Sequence, residues 1–509
     1  MSSIKKLAGQ TAIYGVSTIV GRLLNYFLVP LYTYKFRDPK DFGINTEFYA
    51  YVSFLNIILT YGMETALFNF SIKENDKNKV YSTALISLLT STGLFLFCTL
   101  MFAGSIANFI HYANNVNYIV WIVLIIAFDA IAAIPFAKLR EQGKATRFAT
   151  LKAVSIFVNI VLNIFFIGFC KTEYEDPAST WHALAQFCYD PTIGIGYIFI
   201  ANMVANMIVA ILLIPEFFMV KFDFDFTLWK RMLKYSLPLL IVGLAGMVNE
   251  TMDRILLKYI LHAHNYTTED TLRQIGIYGA CYKISILMTV FVQAFRYAAE
   301  PFFFSHSKEQ GAQKLYASVM NYFVLACSFI FLFTTMNLPW IQLVFLSDNF
   351  RSGVKVVPIL LIANLFLGVY FNLSFWYKLT GKTYWGALLT CVGAIITLML
   401  NFWWIPQIGY MGSAWATLIC YATIAILSFI IGRKHYYVDY DFGRILGYFL
   451  LSLALYFVGT LPPFHSNLIS LIFGNILVLV FLAIIFFFEK DNIMQLFKKN
   501  IPVNENKDH

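Results

Sequence analysis

Apolar residues run along this chain in blocks of roughly 20, parted by short polar connections, from near residue 8 to near residue 488. A block of that length suits a helix rising 1.5 Å per residue across a hydrocarbon layer of about 30 Å. Fourteen blocks can be traced, near 8–33, 43–69, 80–104, 117–139, 146–169, 193–217, 232–260, 274–304, 314–336, 354–377, 384–404, 410–432, 444–461 and 467–488. The pattern predicts an all-α polytopic membrane protein with about 14 transmembrane helices. Connections of at most about 25 residues leave no room for a soluble catalytic domain. Polar positions inside the blocks recur at helical spacing. In span eight, Tyr278, Tyr282, Ser285, Thr289, Gln293, Arg296 and Glu300 fall on one face of a single predicted helix. Span one carries Thr11, Tyr14, Thr18, Arg22 and Asn25 in the same way, and span two Asn56, Thr60 and Glu64. Ionisable groups at membrane depth face a bundle interior or a watery cavity, so these stripes predict a polar path through the bilayer.

The blocks also repeat. Gly143-Lys144 and Gly381-Lys382 each open a span, and an asparagine follows each glycine by the same interval, Asn163 and Asn401. At this offset Lys152, Ser155, Asn159 and Asn163 fall opposite Thr390, Gly393, Thr397 and Asn401. Gly43 and Gly276 each introduce a span that ends in a carboxylate, Glu64 and Glu300. Spans one to six therefore read as repeated in seven to twelve. The expected organisation is an N-lobe over 1–220, a C-lobe over 221–436, two further spans over 437–490 and a cytoplasmic tail over 491–509. Even-numbered repeats are parallel, and in such folds the substrate site lies between the halves.

Composition agrees with the class and adds an orientation. Hydrophobic residues make up 59% of the 509 and charged residues 13%, against roughly 45–50% and 25% in soluble domains. With the N-terminus inside, the inner connections and both termini carry about three times as many Lys and Arg as the outer ones, a positive-inside bias. Lys5, Lys6, Lys73, Lys77, Lys79, Arg140, Lys144, Arg433 and Lys434 are examples. The net charge of +9 is thereby explained by topology, which argues against nucleic acid as a partner. The first block is too long and too polar, with Arg22 and Asn25, for a cleaved signal. Of seven cysteines, Cys170 and Cys188 bracket an acidic outer connection, where a bridge and two free thiols are both compatible with the spacing. No metal-ligand spacing occurs, so no metal or other cofactor is expected.

Several short motifs carry a resemblance: Leu7–Tyr14 running into Arg22 and Pro30, Asp41-Phe42-Gly43, Tyr235-Ser236-Leu237-Pro238, Asp253-Arg254 and Gly276-Ile277-Tyr278. With the two six-span repeats and two extra C-terminal spans, the chain resembles the multidrug/oligosaccharidyl-lipid/polysaccharide exporter superfamily. Within it the chain is similar to the bacterial flippases of lipid-linked oligosaccharides. The resemblance implies alternating access by two lobes and, as substrate, an undecaprenyl-diphosphate-linked glycan bound for surface polysaccharide. It implies a monomer in the bacterial cytoplasmic membrane, among membrane lipids and beside a polysaccharide assembly machinery. It also implies that spans one, two, seven and eight line the cavity.

A diphosphate with sugar hydroxyls calls for fixed cations and hydrogen-bonding groups, and arginine's planar fork can hold two phosphate oxygens. The candidate anion contacts are Arg22, Arg254, Lys283 and Arg296, with Arg22 foremost because its own span offers no carboxylate. Asn25, Glu64, Asp129, Glu250, Asp253, Gln293 and Glu300 are candidates for polar contact or for coupling to Na+ or H+, the ion being left open. Bland readings stand beside these: Arg296 and Glu300 neutralising each other at i, i+4, Asp253-Arg254 sitting at the interface, and the Lys152–Asn163 stripe sealing helix to helix. Two other functions are weighed. A multidrug antiporter of the same superfamily wants an acidic cavity, and an integral membrane glycan polymerase needs a larger outer loop than Cys170–Pro191. A non-enzymic exporter is therefore expected.

Overall fold

The computed structural model describes residues 19–21, 23–219, 223–307, 310–461 and 467–499. Arg22 and residues 1–18 of the first span lie outside them. Every regular element among the described residues is helical. In chain order these are α1 (Leu28–Lys35), α2 (Pro39–Thr60), α3 (Met63–Lys73), α4 (Lys77–Met101), α5 (Val116–Glu141), α6 (Ala145–Asn163), α7 (Gly196–Leu212), α8 (Phe226–Ala263), α9 (Thr268–Ile284) and α10 (Ile286–His306). They continue with α11 (Ala312–Met336), α12 (Val356–Leu373), α13 (Tyr384–Ile408), α14 (Tyr410–His435), α15 (Phe442–Thr460) and α16 (Asn467–Lys499), short helices being left unlabelled. Eleven helical segments are long and apolar enough to cross a membrane, and α9 with α10 makes a twelfth. The multi-pass helical fold is thus as expected. The count of fourteen rests further on the first span and on α7, which has 17 residues.

Span eight departs from its predicted form. The axis bends by 51° between α9 and α10. At the break Ser285 turns its hydroxyl onto the Tyr282 carbonyl, 2.7 Å away, and a side chain that competes for backbone acceptors loosens the helical ladder. The seven polar residues therefore do not form one straight line. Tyr278 and Ser285 are fully buried, while Thr289 and Gln293 are half-buried and Arg296 is exposed.

The chain packs into two compact units. One comprises residues 308–344 and 437–509. There α11, α15 and α16 enclose Leu332, Met336, Tyr448, Leu477 and Phe481. Buried Glu489 accepts a hydrogen bond from the Tyr448 hydroxyl and faces the Arg444 guanidinium at 3.6 Å.

The other unit comprises residues 1–307 and 345–436. Its organising contact is the crossing of α2 and α9 at Gly43 and Gly276. A methyl group at Gly43 would overlap the carbonyl oxygen of Leu272, and one at Gly276 would overlap that of Pro39. Two helix backbones approach this closely only where side chains are missing. The equivalent glycines of the two sequence repeats thus meet each other. Charged groups tie the same corner. Asp38 caps the start of α2 through the Lys40 N–H and takes two bonds of 3.1 Å from the Arg273 guanidinium on α9. Lys40 reaches Glu269 at 3.2 Å.

Partial burial acts to raise the Asp38 carboxyl, but the bonds from Arg273 and Lys40 outweigh it and hold the group below its ordinary value. A depressed carboxylate contributes stability above its unfolded pKa, about 3.9, and loses it as pH falls through the folded value. Acid below about pH 4 should therefore weaken this corner in thermal unfolding of the detergent-solubilised protein, and Asp38→Asn should abolish that part of the pH response.

Amides fasten span to span in both halves of the chain. Asn159 on α6 donates to Asn25 at 3.2 Å, and Tyr32 donates to Asn163 at 2.9 Å. In the second repeat Thr397 on α13 donates to Asn249 on α8 at 3.2 Å, and Ser413 on α14 donates to Asn401 at 2.9 Å. Asn249→Leu should cost about 1 kcal/mol, the usual scale for a bond between membrane helices, with a matching fall in melting temperature. A continuous span two is broken at Tyr61 and Gly62, whose φ values of 31° and 71° are left-handed. Glycine supplies the second of these without strain, and α3 carries the same span on to Lys73.

Candidate functional site

Among the cavities of the larger unit, two polar ones lie along its spans. The first, about 590 Å³, follows α2 from Ser53 to Thr60, reaches Glu64 on α3, and is closed behind by Asp129 and Arg140 of α5 and Lys152 of α6. Met247 of α8 and Tyr297 of α10 bound it from the second repeat. The second cavity, about 280 Å³, is lined by Glu250, Tyr282, Thr289, Gln293, Arg296 and Asn364, among others. Tyr297 lines both, so one side chain parts two chambers, one built chiefly from each repeat.

Local structure explains how charges come to line these chambers. Asp129 sits mid-way along α5, where its carboxylate accepts from Asn206 on α7 at 3.0 Å. Arg140 stands in the last turn of α5, donates to Glu64 at 2.5 Å and covers the Phe68 ring. Lys152 lies two turns inside α6 with its ammonium 4.3 Å from the centre of the Phe136 ring. An aromatic face attracts a cation without neutralising it, and Lys152 also lines the chamber. Arg296 makes the same contact with Phe371 at 4.7 Å in the second chamber. Among the described lining residues, Glu64, Asp129 and Glu250 face Arg140, Lys152 and Arg296, which is a balanced set of charges rather than a basic one.

The structure distributes the predicted site residues unevenly. Glu64, Asp129, Glu250, Gln293 and Arg296 line the chambers. Arg254 and Asp253 do not line either of these two. Both are buried, Arg254 donating to the Glu250 carbonyl at 2.6 Å and facing the Asp253 carboxylate at 3.4 Å, with the guanidinium over the Tyr282 ring. Asp253 also accepts from Tyr278 at 2.6 Å. Lys283 is half-buried and lies over the Tyr26 ring at 5.2 Å. Asn25 is joined to Asn159. Arg22 and the Glu300 side chain lie outside the described residues.

The predicted Lys152–Asn163 stripe divides along its length: Asn159 and Asn163 seal α6 to the first span, whereas Lys152 faces the chamber. Arg140 was hidden in the sequence because a cation at an inner span end reads as a topological anchor. Glu47 and Lys258 were hidden as well. They form a fully buried ion pair at 2.7 Å, and each falls off the polar stripes that periodicity picks out. Cys170 and Cys188 are both free thiols, and no cluster of metal-ligating side chains occurs among the described residues.

Comparison with known proteins agrees with this architecture. Residues 7–307 match the family of polysaccharide biosynthesis proteins, which is more than half of the chain. Comparison with curated proteins gives no match. Among solved structures, the chain is similar to the lipid II flippase MurJ in an inward closed conformation, at 15% identity and a TM-score of 0.67, covering 95% of this chain and 100% of that one. A MATE protein in complex with MaL6 aligns at 14% identity and a TM-score of 0.58 over 87% of this chain and 97% of that one. A MATE protein in the bent conformation gives 15%, 0.57, 89% and 99%. At such identities the likeness shows the fold.

Proposed function

We propose that this chain, which belongs to the polysaccharide biosynthesis protein family, is a flippase that carries a polyprenyl-diphosphate-linked oligosaccharide across the cytoplasmic membrane. Two six-span lobes, 1–220 and 221–436, rock about the chambers and expose them to one face and then the other. The observation that carries the reading is the pair of chambers in which a lysine and an arginine, Lys152 and Arg296, rest on aromatic rings, with no ion pair to a carboxylate among the described residues. Such cations are free to take a diphosphate, and the amides and hydroxyls beside them suit sugar. Arg22 is assigned the same work on the first span. The protein acts as a carrier and makes no covalent bond, works as a monomer with both termini in the cytoplasm, and hands its cargo to a surface-polysaccharide assembly machinery.

Lys152→Ala and Arg296→Ala should each lower export of surface glycan about tenfold, the effect of losing one charge-assisted phosphate contact, with normal abundance in the membrane. Quantified surface glycan against protein level checks this, and undiminished export by both variants would contradict it. Arg22→Ala is expected to abolish export.

One observation favours a second reading. Glu64, Asp129 and Glu250 give the chambers as many carboxylates as cations, and carboxylates in a chamber can also receive an organic cation. Under the flippase reading these carboxylates hold arginines in place or couple transport to Na+ or H+. Resistance to cationic dyes on expression, lost in Asp129→Asn, is the result that would move the assignment.

A further inference from the structure

We propose that Glu47 and Lys258 form a latch that holds the two repeats shut at one end of the bundle and parts in every transport cycle. The inference rests on the alternating-access reading and concerns how the cycle is gated. Glu47 stands on α2, in the first repeat, and Lys258 on α8, in the second. Their side chains are 0% and 2% exposed and meet at 2.7 Å. All polar atoms of the pair are engaged across elements. The carboxylate also accepts from Tyr51 on its own helix and from Tyr112 in the connection before α5, each at 2.7 Å. The ammonium also donates to the Ile110 carbonyl at 2.8 Å and lies 4.2 Å from the centre of the Tyr112 ring. Tyr51 in turn meets Tyr259 of α8 at 3.1 Å.

The placement gives the contact its role. One helical turn before Glu47 the backbones of α2 and α9 cross at Gly43 and Gly276, and beyond the crossing Asp38 and Lys40 hold Arg273 and Glu269. These contacts all join the first repeat to the second at a single end, the end that the distribution of Lys and Arg assigns to the outside. The chamber beneath starts at Ser53, two turns further along α2. The crossing and the pair stand between the chamber and that face.

An ion pair is suited to a contact that must open. Closed, it leaves no charge unmatched. Parted, both groups recover hydration, so the loss of their mutual attraction is largely offset. An apolar plug of the same size would have no such compensation on meeting water. Removing one partner breaks this balance, because the remaining charge is stable only where water reaches it. Such variants should therefore populate the state open at the latch end.

Right-side-out membrane vesicles carrying Ser53→Cys, with the seven native cysteines replaced by serine, test this. A membrane-impermeant maleimide is added outside. With the latch intact, labelling should be slow. Lys258→Gln and the isosteric Glu47→Gln should each label about tenfold faster, the signature of a shifted two-state equilibrium. The reversed pair, Glu47→Lys with Lys258→Glu, should regain part of the protection. Unchanged labelling in both single variants at normal abundance overturns the latch, and so does fast labelling that the reversed pair does not slow, which marks general loosening. The readout needs no substrate, so a wrong cargo would show separately, as labelling that behaves as expected while glycan export is unaffected.

Discussion

Gly276→Leu is expected to remove folded protein from the membrane almost entirely. A Cβ at this position overlaps the Pro39 carbonyl, which belongs to backbone and cannot rotate away. Relief would need α2 and α9 to separate by more than an ångström, dismantling the bonds of Asp38 with Arg273 and of Lys40 with Glu269. Overpacking usually costs about 1–3 kcal/mol where side chains can yield, and a clash against backbone belongs beyond that range. Gly43→Leu should behave alike, because its Cβ meets the Leu272 carbonyl. By contrast Gly93 and Gly104 have nothing within 4 Å of an added Cβ, so Gly93→Ala should leave abundance and melting temperature unchanged. Abundance in isolated membranes and thermal unfolding in detergent measure all three.

Asp253→Ala is the second substitution with a large expected cost, about 3–5 kcal/mol, the scale for stranding one member of a buried ion pair. It deprives the Arg254 guanidinium of its carboxylate and the Tyr278 hydroxyl of its acceptor in a single step. Because the loss comes from uncompensated charge, the double variant Asp253→Leu with Arg254→Met should recover most of it. A double-mutant cycle on melting temperature checks this. The expected coupling assigns Asp253 and Arg254 to holding α8 against α9, whereas additive costs would return Arg254 to the set of cations free for substrate.

The sequence was most informative where periodicity and repetition reinforced each other. Blocks of apolar residues set the multi-pass helical fold, and Gly43 and Gly276, read in the sequence only as residues that open a span, are where α2 and α9 cross. The amides Asn163, Asn249 and Asn401 read correctly as polar residues inside spans, since a buried amide has to find a partner on a neighbouring helix. Orientation about the helix axis was harder to read. A period places Tyr278, Ser285 and Arg296 on one face only while the helix is straight, and the bend at Ser285 turns the later residues elsewhere.

Pairing was hardest of all. Whether Arg254 meets phosphate or Asp253, or Lys152 a neighbour or a cavity, depends on contacts between helices distant in sequence. Glu47 and Lys258 show the same limit, being 211 positions apart and matched only by the fold. The chambers consequently hold Arg140 and Lys152, which a reading of stripes either took for an anchor or left between two roles, and three carboxylates that balance the cations.

Transfer between leaflets in a defined membrane tests the central claim most directly. Purified protein in liposomes, loaded on one leaflet with a polyprenyl-diphosphate oligosaccharide, is assayed by the appearance of sugar on the opposite leaflet. Transfer well above that of empty liposomes, and reduced about tenfold by Lys152→Ala, is the result expected of a flippase that grips the diphosphate. Equal transfer with and without protein, alongside efflux of cationic dyes from the same liposomes, would contradict it.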